Sequence, residues 1–122
     1  MPGSDQGPLR LNTDIFDDVL ASHDFLVINL SAPWCGPCRA FHSVFAQSAE
    51  EHSDVSFAVV DVQDQPALSS AFAVEQIPTI AVMRAGVVVF SHQGSLSKEA
   101  LHDVLDQARR LDMTVLSRTN PQ

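Results

Sequence analysis

The strongest constraint on the fold is a nearly continuous apolar run, Phe25–Leu30, interrupted only by Asn29. Its length suits one β-strand, and a strand without polar alternation is expected to be buried on both faces of a sheet. Helices must then cover both faces, which is the arrangement of an α/β layered domain. The run therefore predicts the central strand of a mixed β-sheet flanked by α-helices.

The rest of the chain divides into short segments with strand or helix patterns. Apolar residues at helical spacing, preceded by capping or proline residues, predict the helices. Compact apolar runs bounded by turn residues predict the strands, and the turn Arg84–Gly86 joins the last two into an antiparallel hairpin. We expect strands at Leu9–Leu11, Phe25–Leu30, Val55–Asp61, Thr79–Met83 and Val87–Phe90, and helices from Thr13 to Ser22, from the cysteines to about His52, from Pro66 to before Gln76, and from Ser97 to Leu111.

The length of 122 residues suits a single domain. We expect residues 9–111 to form it. Residues 1–8 contain two prolines and two glycines without an apolar pattern, and they are predicted to be a flexible lead-in. Residues 112–122 have no clear partner in the pattern and are assigned as a C-terminal tail of unknown role.

Charge and termini limit the classes of partner. Fifteen acidic against seven basic residues give a net charge of −8, which disfavours binding to nucleic acid or to anionic membranes. The first residues lack the basic and apolar regions of an export signal, so we expect a cytoplasmic protein. Because the cytoplasm keeps thiols reduced, the two cysteines of this chain are not expected to form a structural disulfide, and they call for a functional explanation.

Both cysteines lie in the sequence Trp34-Cys35-Gly36-Pro37-Cys38, where the buried strand gives way to a helix. A favourable helix terminus contributes up to about 2 kcal/mol to an anion, which can lower the pKa of a thiol from about 8.5 to about 7. Cys35 is therefore expected to be exposed and reactive. Cys38, one turn later, is expected to be more buried and able to attack any disulfide that Cys35 forms.

The residues around the cysteines fit redox chemistry better than a metal site. Gly36 permits close approach of a partner backbone, and Pro37 is tolerated in a first helical turn. A structural zinc ion needs four ligands, and the chain has no second pair of cysteines. The histidines show no metal-ligand spacing and are expected at the surface or its boundary; they are His23, His42, His52, His92 and His102.

Several ordered motifs make the chain resemble the thioredoxin family over about residues 9–108. They are WCGPC after the FLVINLSAP strand, VVDVQDQPAL, Ile77-Pro78-Thr79, and Gly94-Ser95-Leu96-Ser97 before the last helix. The resemblance implies a five-stranded mixed sheet flanked by helices. It also implies these roles: Cys35 as nucleophile, Cys38 as resolving thiol, Trp34 as adjacent surface aromatic, Gly36 and Pro37 as active-site support, Pro78 as a cis-proline facing the site, and Ile77, Thr79 and Gly94 as the partner groove.

Two positions depart from the family pattern. The family usually has a buried Asp, thought to exchange protons with the resolving thiol, where this chain has Asn29. It usually has a Lys associated with that Asp where this chain has Val59. Asn cannot accept the proton, so bulk water, the partner protein or Asp61 is expected to substitute. Asp61 is alternatively a carboxylate that only ends a strand.

The resemblance further implies an activity and its partners. A protein-disulfide reductase is expected that acts as a redox carrier in electron transport and cell redox homeostasis, with no bound cofactor beyond its own disulfide. A flavoprotein thioredoxin reductase would regenerate it with NADPH, and disulfide-containing proteins would be its targets. The alternative is a partner-binding module with weak or vestigial redox activity, which the loss of the buried Asp and the extra segment 109–122 would fit.

Overall fold

The computed structural model describes residues 7–112. Residues 1–6 of the expected lead-in and residues 113–122 of the expected tail lie outside the described part. Within residues 7–112 the chain forms the predicted strands and helices. The strands are β1 (Leu9–Arg10), β2 (Phe25–Ser31), β3 (Ser56–Asp61), β4 (Thr79–Arg84) and β5 (Val87–Gln93), and the helices are α1 (Thr13–Ser22), α2 (Gly36–Glu51), α3 (Pro66–Ala71) and α4 (Lys98–Arg109).

The described strands form one five-stranded sheet in the order β1-β3-β2-β4-β5. Strands β1, β3 and β2 are parallel, β4 is antiparallel to β2, and β5 is antiparallel to β4. The predicted mixed sheet is thus confirmed, with β2 in its centre. A short loop joins the carboxyl end of β2 to α2, which places the cysteines just beyond the end of the central strand.

Side chains of β2 alternate between two apolar layers, which explains its nearly unbroken hydrophobic sequence. Phe25 and Val27 pack in the layer that contains α2 and α4, whereas Leu26, Ile28 and Leu30 pack in the opposite layer with residues of α1 and α3. Both layers are buried. A strand at this position therefore has no solvent face on which polar residues would be favoured.

Capping side chains fix where the helices begin. Asn12 Oδ1 accepts from the N–H of Ile15 at 3.1 Å, and Ser97 Oγ accepts from the N–H of Ala100 at 3.0 Å. These caps satisfy N–H groups that have no partner inside the helix. The predicted starts of α1 and α4 are therefore confirmed.

Several details differ from the sequence predictions, including an earlier end of α3 at Ala71 and a later end of β5 at Gln93. Arg84 belongs to β4, and only Ala85 and Gly86, both with positive φ, form the hairpin turn. Leu111 lies beyond the end of α4 and is exposed rather than part of its buried stripe. His52, predicted at the surface or its boundary, is only 5 % exposed, because it is enclosed between the end of α2 and the side chains of His102 and Arg109.

The helices of residues 7–112 were compared with the length and hydropathy of a membrane-spanning helix. None of them combines the length and the hydropathy that a membrane span requires.

Candidate active site around Cys35 and Cys38

Cys35 and Cys38 form a disulfide at the start of α2, with their Cα atoms 5.2 Å apart. Cys35 is the N-cap residue of this helix, and its Sγ accepts from the N–H of Cys38 at 3.1 Å. A helix N-terminus directs unpaired N–H groups and a partial positive charge at such an atom. The arrangement would stabilise negative charge on Cys35 Sγ once the disulfide opens.

The two cysteines differ less in exposure than predicted. Cys35 is 6 % exposed and Cys38 is 3 % exposed, so the expectation of an exposed Cys35 is wrong for this disulfide form. The reason is packing: both cysteines belong to a small cluster with Ala32, against which Val62 and Ile77 pack. A partner must therefore approach Cys35 along this cluster.

The loop before β4 faces the disulfide. Cys35 Sγ lies 4.0 Å from the backbone oxygen of Ile77, and the following Ile77–Pro78 peptide bond is cis, as predicted. The backbone N–H of Gly94 donates to the oxygen of Pro78 at 2.7 Å. This hydrogen bond ties the end of β5 to the cis-proline loop beside the cysteines.

Thr79 takes a different place from the groove position that the resemblance implies. It is buried, and its hydroxyl donates to the backbone oxygen of Gln76 at 2.6 Å. Its side chain therefore holds the loop in shape and offers no surface to a partner. Ile77 and Gly94 are half-buried and remain available at the surface.

Trp34 is the exposed aromatic beside the nucleophile position. Its side chain is 65 % exposed, and its indole N–H donates to Gln63 Oε1 at 2.9 Å. Gln63 follows β3 and was not predicted to belong to the site. No sequence pattern points to it, because the two residues are 29 positions apart and meet only when β2 and β3 pair in the sheet.

Asn29 is buried where the family pattern has a carboxylate. It is 1 % exposed and lies in β2 opposite Val59 of β3 and Ile80 of β4. No hydrogen-bond donor among residues 7–112 reaches its Oδ1 atom. Val59 packs against the layer that contains α2, so both departures lie on the α2 side of the sheet.

Cys38 also lines a partly open cavity of about 170 Å³ beneath the start of α2. Of its charged and titratable lining residues, the sequence connects Asp61 with the site but not His42, which is exposed as predicted. The spacing of four residues between Cys38 and His42 is the signal that could have joined them. The lining residues are Arg10, Ser31, Ala32, Pro33, Cys38, Arg39, His42, Val59 and Asp61.

Asp61 lies at the end of β3, and its role in proton transfer stays a prediction. Its Oδ1 atom accepts from the N–H groups of Gln63 and Asp64 at 3.0 and 3.3 Å, as expected for a carboxylate that ends a strand. The same side chain lines the cavity with Cys38. Nowhere in residues 7–112 do three or more His, Cys, Asp or Glu side chains group as metal ligands.

The site can therefore carry out thiol-disulfide exchange. It holds two cysteines that can form one disulfide and a helix N-terminus that stabilises a thiolate. It also has an exposed aromatic side chain, Trp34, and a neighbouring loop in which Ile77 is half-buried.

Comparison with known proteins gives a consistent result. The family model for thioredoxin matches residues 7–107. The chain is 41 % identical over 105 residues to a putative thioredoxin 2 of Streptomyces coelicolor, covering 86 % of this chain and 78 % of that protein. It is 32 % identical over 101 residues to a thioredoxin of Haemophilus influenzae, covering 81 % of this chain and 94 % of that protein.

Solved structures show the same fold. A mutant thioredoxin from Halobacterium salinarum superposes with a TM-score of 0.80 at 31 % identity, covering 87 % of this chain and 94 % of that chain. Oxidized mitochondrial thioredoxin 3 from Saccharomyces cerevisiae superposes with a TM-score of 0.76 at 26 % identity, covering 82 % and 94 %.

Proposed function

Because this chain belongs to the thioredoxin family and is a thiol-disulfide oxidoreductase, we propose that it works as a reductant of protein disulfides. The observation that carries the proposal is the position of Cys35. Its Sγ atom accepts a hydrogen bond from the N–H of Cys38 at the start of α2, and it faces the Ile77–Pro78 loop. A nucleophile is thereby placed beside a backbone surface that can hold its target.

Reduction proceeds in two exchanges. The thiolate of Cys35 attacks one sulfur of the target disulfide, forming a mixed disulfide and releasing the other target sulfur as a thiolate. Cys38 then loses its proton and attacks Cys35 Sγ, which forms the Cys35–Cys38 disulfide and releases the second target sulfur. Two electrons pass from the protein to the target. Cys35 is the nucleophile in this scheme, and Cys38 is the resolving thiol.

The target binds in an extended form across the loop. Pro78 has no N–H, and the backbone of Ile77 beside it is free to pair with an incoming chain. Gly94 has no side chain to obstruct that chain, and exposed Trp34 flanks the opposite side. Gly36 and Pro37, both exposed, allow the target to approach the disulfide closely.

The protein acts as a redox carrier without a bound cofactor of its own. A flavoprotein thioredoxin reductase returns it to the dithiol form with electrons from NADPH, and the cycle takes place in the cytoplasm, where it serves redox homeostasis. Membership of the family supports disulfide-containing targets. The alternative of a binding module with vestigial chemistry has no support in residues 7–112, because both cysteines are in position and paired.

Trapping with single-cysteine variants tests the proposal. Cys38→Ser should accumulate a mixed disulfide with a target whose disulfides are intact, such as insulin, because no second thiol resolves it. Cys35→Ser should trap none. The wild-type protein should reduce insulin catalytically with dithiothreitol. Equal trapping by both variants would contradict the assigned roles, and absence of turnover in the wild type would favour the binding module.

A further inference from the structure

We propose that His42 accepts the proton of Cys38 when Cys38 resolves the mixed disulfide. The inference rests on the function proposed above and names the group that replaces the family's buried carboxylate. Its basis is the cavity of about 170 Å³ that Cys38 and His42 line together.

Helix geometry directs the two side chains to the same place. Cys38 and His42 are four residues apart on α2, so they share one face with their Cβ atoms about 5–6 Å apart. The Cα–Cβ bonds of a helix tilt toward its N-terminus, so the exposed side chain of His42 starts toward the turn that holds Cys38. Both then border the same cavity.

Cys38 needs such an acceptor because Asn29 and Val59, at the positions where the family pattern has a carboxylate and a lysine, supply none. It is 3 % exposed, so free solvent reaches little of it outside the cavity. Asn29 carries an amide, which cannot take up a proton, and Val59 is apolar. The thiolate that attacks Cys35 must nevertheless form, because the neutral thiol is not the nucleophile.

The other charged groups that face the cavity are less suitable acceptors. Arg10 of β1 and Arg39 of α2 are permanently protonated and only donate hydrogen bonds. Asp61 of β3 already accepts two backbone N–H groups at its Oδ1 atom. Histidine is the side chain whose neutral form takes up a proton near neutral pH, which leaves His42 as the best base in the cavity.

The step conserves atoms and electrons. The Cys38 Sγ–H bond breaks, and its proton passes to an imidazole nitrogen of His42. The thiolate electron pair forms the bond to Cys35 Sγ, while the bond between Cys35 and the target sulfur breaks and its electron pair leaves with the target thiolate. His42 then returns its proton to solvent through the open side of the cavity.

The inference is tested by single-turnover reduction of insulin between pH 5.5 and about 9. The reaction is quenched at successive times, and mass spectrometry measures how fast the mixed disulfide disappears. His42→Gln keeps a polar side chain but has no base. Resolution should slow about tenfold near pH 7, less than the ~100-fold common for general bases because solvent also reaches the cavity. The difference should shrink as pH rises, because hydroxide in the cavity can then take the proton without help from a side chain.

His23→Gln is the matched control, because His23 lies at the end of α1, away from the cavity. Its profile should follow the wild type. A His42→Gln profile identical to the wild type would overturn the inference, and an effect confined to Asp61→Asn would assign the role to the carboxylate instead. If the wild-type protein forms no mixed disulfide, the proposed function itself fails, and that result is distinct from unchanged resolution in His42→Gln.

Discussion

Asn29 of β2 lies directly opposite Val59 of β3 in the register of the parallel strands. The family pattern usually has a carboxylate and a lysine at these two positions, so the chain has replaced both members of a polar pair. Retaining either charge alone would leave it buried without a partner, which is strongly destabilising. With neither residue charged, the centre of the sheet stays neutral, and the proton transfer proposed for Cys38 uses His42 instead.

The first prediction restores the carboxylate. In Asn29→Asp, burial should raise the pKa of the new side chain, so the folded state binds more protons than the unfolded state and stability falls as pH rises above about 4. We expect a loss of about 3 kcal/mol at pH 8. We also expect faster insulin reduction, because a base then lies on the α2 side of the sheet. Urea melts and insulin assays between pH 6 and about 9 measure both effects.

Asn29→Val is the matched control for this change. It removes the amide oxygen that has no donor among residues 7–112 and places a β-branched residue in a central strand. Stability should rise by about 1 kcal/mol with no new dependence on pH. If Asn29→Asp changes neither the rate of insulin reduction nor the pH dependence of stability, position 29 is not buried close enough to Cys38 to act on it.

The second prediction concerns the buried histidine at the end of α2. His52 Nδ1 lies 3.1 Å from Arg109 Nη2, and Arg109 also binds both carboxylate oxygens of Asp54. Because a guanidinium only donates, His52 must be neutral and accept at Nδ1. Burial lowers the pKa of His52 below its usual range, and the charges of Arg109 and His102 lower it further.

Its effect on stability has a definite sign. A histidine whose pKa is lowered in the folded state binds fewer protons there than in the unfolded chain, so stability is complete above about pH 6.5 and falls as pH decreases below it. In His52→Gln, which keeps an acceptor for Arg109, the difference in stability between pH 7.5 and 5.5 should shrink. Urea melts across about pH 5 to 8 measure it, and an unchanged slope would show that His52 is not the responsible group.

The sequence predicted the architecture well because each element has local signals. The apolar run at Phe25–Leu30 identified the central strand, and Asn12 and Ser97 identified the starts of helices through their capping chemistry. Cys35 and the cis-proline Pro78 followed from motifs. These features depend on neighbouring residues, which a sequence displays directly.

Contacts made across the sheet were harder to predict. Gln63 meets Trp34 only through the pairing of β2 and β3, and His52 is enclosed only when α4 packs against α2. The exposure of Cys35 depends on how closely Ile77 packs against it, which spacing along the chain does not determine. Such features follow from tertiary packing rather than from local propensity.

The third prediction uses Trp34, the only tryptophan of the chain, as a reporter of the cysteines. Its position beside Cys35 predicts a change in fluorescence when the disulfide is reduced. Gln63→Leu should alter the emission of the oxidised form, because the indole N–H loses its acceptor, while the disulfide still opens. Emission spectra before and after dithiothreitol, with thiol counting, measure this. Identical spectra despite complete reduction would show that Trp34 does not sense the site.

The last prediction compares two glycines near the disulfide whose backbones differ. Gly94 has a φ of +105°, a backbone conformation that residues with a side chain rarely adopt. Its N–H donates a hydrogen bond to the oxygen of Pro78. Gly36 lies at the start of α2, and an added Cβ there would meet nothing within 4 Å. Gly94→Ala should therefore lose about 1–3 kcal/mol of stability, whereas Gly36→Ala should be neutral or gain up to about 1 kcal/mol.

The cost at Gly94 arises from the backbone and not from a clash. A Cβ atom there would lie 3.4 Å from the side chain of Gln76 and 3.9 Å from that of His92, and both are ordinary contacts. If the strain is relieved by a shift of Gly94, its hydrogen bond to Pro78 is disturbed, and with it the surface proposed to bind the target. Gly94→Ala should consequently raise the KM for insulin more than it lowers kcat. Equal stability of the two alanine variants in urea melts would contradict this account of Gly94.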